Sequence, residues 1–290
     1  MLKGSIPAII TPFRKGEIDY DDFSKLLNWQ IKNGISGITV CGTTGESPTL
    51  THDEHMKLIE YAIKIVKRRV PVIAGTGSNS TQEAIEFTKH AFKAGADYGL
   101  AVTPYYNKPN QDGLINHFKI IAKATPLKQI IYNIPGRSIV DLSLDSFKEL
   151  NKISNIVAIK DASNDISRPL LMRTFMKKDF NYLSGEDGTI AGFLAQGGHG
   201  CITVAGNVAP KLTSELHKSW SQKQWKKFDK INLQLAPLSK VLFQEPNPTP
   251  TKYALSLMGF CTEEVRAPLI ALSAKTKKDI KKVLKVLKNI

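Results

Sequence analysis

The sequence predicts an α/β protein, a (β/α)8 TIM barrel with a C-terminal helical extension. Three observations predict it: eight short β-branched apolar runs, helical patterns between most of them, and an even spacing. The runs cover residues 5–10, 37–41, 70–74, 98–102, 129–132, 156–159, 182–183 and 201–204. Their ends fall 21 to 33 residues apart, about the length of one β-α unit. Each run is almost continuously apolar, the pattern of a parallel sheet buried on both faces, and eight such strands close a barrel. An open doubly wound sheet would more often carry a glycine fingerprint after its first strand. This chain has Thr11-Pro12-Phe13 there.

Helix ends are legible in order along the chain. Asp19 can cap a helix whose Phe23, Leu26, Leu27 and Ile31 share a face, with Gly34 stopping it. Thr51-x-x-Glu54 and Ser80-x-x-Glu83 both read as capping boxes, and Gly95 closes the second of those helices. A helix from about Gln111 carries Leu114, Phe118, Ile121 and Ala122. Beyond about residue 225 the pattern is helical with no strand signal. The expected division is therefore a catalytic barrel, 1–224, and a C-terminal helical domain, 225–290.

With 42% hydrophobic and 23% charged residues in 290, the composition is that of a globular protein and excludes disorder. The three cysteines, Cys41, Cys201 and Cys261, are odd in number and far apart, which suits reduced thiols in a cytoplasmic protein. The opening MLKGSIPAII contains Pro7 and makes a poor signal peptide. The uncharged window 188–210 holds six glycines and reads as a helix–turn–strand passage, not a membrane span. The net charge of 40 − 26 = +14 is concentrated at the end, where residues 211–290 hold 16 Lys/Arg and 6 Asp/Glu. A nucleic-acid surface could have this composition. Yet Ile280, Val283, Leu284 and Leu287 fall on one helix face with the lysines on the other, which is the pattern of a solvated amphipathic helix. No nucleic-acid or membrane partner is expected.

In a barrel, chemistry collects where strands end, and the unusual polar residues of this chain cluster there. Strand two ends in Cys41-Gly-Thr-Thr-Gly-Glu-Ser47, strand five in Tyr132-Asn-Ile-Pro-Gly-Arg137, strand six in Ile159-Lys160-Asp161, and strand seven in Leu183-Ser-Gly-Glu186. Alternation sends Ile156, Ala158 and Lys160 to one face. If that face is the barrel interior, the amine is partly desolvated, which favours the neutral form that attacks a carbonyl to make an imine. Otherwise Lys160 exits to solvent, paired with Asp161. Tyr132 lies one strand over, where a phenol could move protons to and from an imine, or simply serve as a core aromatic. Thr43 and Thr44 could hold a carboxylate, or form a plain Gly-Thr turn. Arg137, after the rigid Pro135-Gly136, could face a second carboxylate or solvent. His52 and His55 lack a third metal ligand, and neither a phosphate loop nor a dinucleotide fingerprint is present, so no metal or nucleotide cofactor is expected.

Taken together these strings resemble the dihydrodipicolinate synthase family of pyruvate-dependent aldolases, from Gly4-Ser-Ile-Pro-Ala-Ile-Ile-Thr-Pro12 to Glu245-Pro-Asn-Pro-Thr-Pro250. The resemblance implies that Lys160 forms an imine with pyruvate and needs no other cofactor. It also implies that the enamine attacks L-aspartate 4-semialdehyde, and that Tyr132, Thr43 and Tyr106 relay protons. Tyr106 would reach in from a neighbouring subunit of a homotetramer built as a dimer of dimers. Thr44 and Ile202 would contact pyruvate, Arg137 the semialdehyde carboxylate, and Gly185 would line the pocket. In members inhibited by L-lysine, the matching positions are Ser47, Pro48, His52, His55, Asn79, Glu83 and Tyr105. A competing reading leaves Glu83 to complete a capping box with Ser80. Departures from the family pattern are Gly136, Ser138, Asp161 and Glu186, none touching the imine chemistry. The nearest rival is a sister aldolase acting on N-acetylneuraminate or a 2-keto-3-deoxy sugar acid. It would share the barrel, Lys160 and Tyr132.

Overall fold

The computed structural model describes residues 2–288. The apolar runs form eight strands: β1 (Gly4–Pro7), β2 (Ile38–Val40), β3 (Val72–Gly75), β4 (Tyr98–Val102), β5 (Lys128–Asn133), β6 (Ile156–Asp161), β7 (Asn181–Ser184) and β8 (Gly200–Thr203). All pair in parallel, in the order β1-β8-β7-β6-β5-β4-β3-β2. The ring closes between its first two strands. Ala8 forms a parallel bridge with Thr39, and the Ile9 N–H donates to the Thr39 carbonyl at 2.9 Å. The first strand is shorter than its apolar run, because the Ile10 N–H leaves the ladder for the Asn207 side-chain oxygen at 3.1 Å.

Each strand is followed by a helix: α1 (Tyr20–Lys32), α2 (His52–Val66), α3 (Thr81–Ala94), α4 (Gln111–Ala124), α5 (Leu144–Leu150), α6 (Arg168–Met172), α7 (Ile190–Ala195) and α8 (Pro210–Ser221). Asp19 caps α1, accepting from the Asp22 N–H at 2.9 Å, and Gly34 and Gly95 take φ of +82° and +92° just past their helices. Thr51 and Glu54 make the full reciprocal box. Ser80 and Glu83 make only half of one. Ser80 accepts from the Glu83 N–H, but the Ser80 N–H turns to the Ser78 hydroxyl at 3.0 Å. The Glu83 carboxylate is thereby left for another partner.

Two layers of apolar side chains position the site. Inside the barrel, Ile6, Ile73, Leu100, Ile130, Ala158, Leu183 and Ile202 fill the lumen. Outside it, the strands' other faces pack on the helices. Ile156 belongs to the outer layer, against the expectation that it shares a face with Lys160. The cause is an irregularity in the β5–β6 ladder. Gln129 pairs with Ile156 but the next residue, Ile130, pairs with Ala158, so Val157 is an extra residue and the alternation changes phase. Only Ala158 and Lys160 keep the inward phase.

Three further helices follow: α9 (Trp225–Val241), α10 (Thr249–Leu257) and α11 (Ala274–Lys288). Phe228, Leu235, Tyr253, Ile280 and Leu284 share one hydrophobic cluster with Leu26, Leu27 and Ile59 of the barrel helices. Lys278, Lys281, Lys282 and Lys285 face solvent on the opposite side of α11. Each such buried aliphatic or aromatic side chain contributes about 1.5–3 kcal/mol, so the extension is fixed to the barrel through a continuous core. All three cysteines are free and buried, and no described helix is long and apolar enough to cross a membrane.

Candidate active site

Lys160 and Tyr132 are direct partners in the β5–β6 register. Lys160 is 6% exposed, and its Nζ stands 4.0 Å from the centre of the Tyr132 ring. The ammonium therefore rests on the electron-rich face of the phenol. Asp161 does not pair with it. Asp161 points the other way, to the Arg168 Nε at 3.1 Å and the Ser163 N–H at 2.7 Å. Among the described residues no carboxylate lies within ion-pairing distance of Lys160.

Gly185, one residue past β7, lies against the lysine stem. A Cβ there would stand 3.2 Å from Lys160 Cε and 2.8 Å from Ala162 Cβ, so a side chain would displace the amine. Glu186 follows, and burial, then its neighbour Asp187, raise its carboxyl above the ordinary range, while Lys160 and Arg137 are close enough to oppose them. Ile202 is fully buried in the lumen on β8.

After β2 the chain passes through two short 3₁₀ turns, Thr43–Gly45 and Ser47–Thr49, and Glu46 between them takes φ +55°. Thr43 and Arg137 wall one open cavity of about 390 Å³, on the rim where the strands end. Six of the seven expected inhibitor positions line the same cavity: Ser47, Pro48, His52, His55, Glu83 and Tyr105. Asn79 is not in that wall, though its carbonyl accepts from the Asn107 side chain at 2.9 Å. The two expected sites meet in this cavity only through Thr43 and Arg137, whereas Lys160, Tyr132, Thr44, Gly185 and Ile202 are not in its wall. A larger one, about 870 Å³, is lined by Gly4, Ser36, Gly198 and His199, at the opposite rim from Lys160.

Within that wall the histidines have separate partners. His52 Nε2 meets the Glu83 carboxylate at 2.6 Å. His55 donates from Nε2 to the Gly75 carbonyl at 2.7 Å and stacks on Phe87 at 4.2 Å; burial pulls its pKa down to about 4, so the ring is neutral. The Ser78 hydroxyl first, and then His52, hold the Glu83 carboxyl below the usual range. Glu83 is a charged wall of the cavity rather than the return half of a cap. Tyr106 is not part of the wall in its own chain. It is 89% exposed and has φ +72°, so its ring projects from the surface.

Sequence reasoning missed the support beneath the Thr43–Gly45 turn. Lys252 on α10 is fully buried, forms an ion pair with Glu46, and rests 3.9 Å from the Phe13 ring centre. Its Nζ also donates to the Glu264 carbonyl at 2.8 Å. Burial lowers the ammonium's pKa and the Glu46 carboxylate opposes that shift. The Arg266 N–H donates to Glu46 at 2.9 Å, and its guanidinium grips both Glu54 oxygens at 2.6 and 2.7 Å, which helps hold Glu54 down to about 2. The only sequence signal was a lysine between Thr251 and the apolar Tyr253-Ala-Leu255, in a helix with little polar surface.

A closed parallel barrel with a buried lysine and a phenol side by side at the strand ends is the architecture of a barrel enzyme. The sequence matches the model of the dihydrodipicolinate synthetase family over residues 1–287. The 4-hydroxy-tetrahydrodipicolinate synthase of Bradyrhizobium diazoefficiens is 51% identical over 275 residues, 95% of this chain and 93% of its own. Among solved structures, the chloride-inhibited dihydrodipicolinate synthase of Acinetobacter baumannii complexed with pyruvate superposes with a TM-score of 0.96 at 42% identity, all of both chains covered. The Cyanidioschyzon merolae enzyme with lysine bound gives 0.96 at 35% identity, covering 99% of each chain. The chain belongs to the dihydrodipicolinate synthetase family. It is an enzyme of the lyase class with 4-hydroxy-tetrahydrodipicolinate synthase activity, not a sugar-acid lyase.

Proposed function

We propose that Lys160 carries the reaction as an imine with pyruvate, and that L-aspartate 4-semialdehyde is the second substrate. The observation that carries this reading is the buried Lys160 Nζ on the Tyr132 ring, with no carboxylate among the described residues to hold it as a fixed ion pair. The amine adds to the ketone carbon of pyruvate and water leaves. The iminium is the electron sink that lets a methyl proton depart, giving the enamine. Its carbon attacks the semialdehyde, whose oxygen takes a proton. The amino group of the adduct then adds to the iminium carbon, closes the ring and releases Lys160. Tyr132, Thr43 and a partner chain's copy of Tyr106 form the proton relay, Thr44 and Ile202 contact pyruvate, and Gly185 leaves room for the adduct.

The exposed, left-handed Tyr106 suits donation across an interface of a homotetramer, and three unpaired thiols suit a cytoplasmic setting. The direct test is condensation by the purified chain, followed by mass spectrometry of the cyclised product. Product formed without pyruvate, or none with both substrates, overturns the assignment.

Arg137 is exposed on the cavity wall in the helical turn Pro135–Ser138, placed for the semialdehyde carboxylate. Arg137→Ala is expected to lower kcat/KM for the semialdehyde by about 10- to 100-fold, the worth of about 1.5–3 kcal/mol of charge-assisted hydrogen bonding. Imine formation with pyruvate should remain. Equal damage to both half-reactions would make Arg137 structural.

L-lysine is the proposed inhibitor, with Glu83 receiving an ammonium group and Tyr105 donating to a carboxylate at the far side of the same cavity. Linkage through the adjoining Tyr106 then needs only a modest differential affinity between two states. Rates at saturating pyruvate are expected to fall with millimolar lysine, and Glu83→Thr should need about tenfold more lysine for the same effect. A wild type indifferent to lysine, or a variant inhibited like the wild type, would remove Glu83 from this role.

A further inference from the structure

The C-terminal extension reaches the Thr43–Gly45 turn with one side chain as well as with its ion pair. Asn247, just before α10 and 6% exposed, donates from Nδ2 to Thr44 Oγ1 at 2.9 Å, a contact spanning 203 residues of sequence. Thr251, one turn along, lies 3.1 Å from the Asn247 side-chain oxygen and fixes which end of the amide faces Thr44. The turn itself cannot shift to meet another partner. The Thr11 hydroxyl donates to the Gly45 carbonyl at 2.6 Å, and Glu46 is held by Lys252 and Arg266.

A hydroxyl has one proton and two lone pairs. With a lone pair occupied by the Asn247 amide, the Thr44 proton is left to be donated elsewhere. We propose that Asn247 is a positioning residue. By donating to Thr44 it orients that hydroxyl as a donor to the carboxylate of bound pyruvate. The C-terminal helices are then part of the binding machinery through one amide. This rests on Thr44 contacting pyruvate, as proposed above.

The test is a double-mutant cycle on pyruvate affinity, with Asn247→Ala, Thr44→Val and the pair, each checked for an intact fold by circular dichroism. KM for pyruvate, KM for the semialdehyde and kcat are read separately. Each single variant is expected to raise KM for pyruvate about three- to tenfold, leaving KM for the semialdehyde within twofold. Once the hydroxyl is gone, losing the amide should add little, so the pair should be no worse than the poorer single variant. Multiplicative effects would overturn the proposal, because a merely structural Asn247 would act independently of the Thr44 hydroxyl. Should Thr44→Val alone leave KM for pyruvate unchanged, the pyruvate contact itself is wrong and the proposal falls with it. Asn247→Asp gives a second readout. A carboxylate can only accept, so it would draw the Thr44 proton away and should raise KM for pyruvate beyond the alanine variant. Affinity equal to or better than that of the alanine variant also overturns the proposal.

Discussion

Lys160→Ala is expected to cost about three orders of magnitude or more in kcat, because no other group can replace the electron sink the imine provides. Stability should change little, since the lysine stem fills a gap at the rim rather than a layer of the lumen. In the wild type, borohydride added with pyruvate should reduce the imine and leave a carboxyethyl group on the peptide containing Lys160. Peptide mass mapping reads the site directly. Modification at any other lysine, or activity surviving in the alanine variant, would refute the assignment. Tyr132→Phe keeps the ring beneath Lys160 and removes only the hydroxyl. It should therefore slow turnover while trapping still labels Lys160.

Lys252→Met should be the most destabilising single substitution at the site's periphery, by about 3–5 kcal/mol. It would strand the Glu46 carboxylate in a place that excludes water. The loss should appear as a lower denaturant midpoint. Adding Glu46→Gln should recover part of it, because a neutral amide tolerates burial better than an unpaired charge. An unchanged midpoint for Lys252→Met, or a double variant that loses the two costs in sum, would mean the pair is not a coupled unit. The effect on turnover should follow the stability loss, since Glu46 ends the turn that carries Thr43 and Thr44.

The barrel was legible because eight runs of the right length and spacing leave few ways to bury a parallel sheet, and most helix ends carry their own capping residues. The place of Lys160 was legible because a lysine ending an apolar strand is an exception to the pattern around it. Its phase was not. Counting alternate residues back from Lys160 puts Ile156 in the lumen, whereas the extra residue at Val157 sends Ile156 outward, and that depends on how β5 and β6 align. Glu83 was misread as half of a capping box for a related reason. Local spacing cannot show that Ser78 takes the cap's N–H or that His52 takes the carboxylate. Contacts such as Asn247 to Thr44 and Lys252 to Glu46 join segments remote in sequence, and nothing local to either segment encodes the other.

The buried thiols have a practical side. Burial raises all three, Cys261 to about 12 and Cys41 and Cys201 also well above the ordinary thiol range, so none presents the thiolate that electrophiles require. The native fold is thus a silent background for maleimide chemistry. A single cysteine introduced at a solvated position such as Ile270, which is 78% exposed, would be the sole target. Fluorescent or spin labels could then be placed singly on this chain without first removing its own cysteines, and slow uptake of label by the native three would report transient opening of the core.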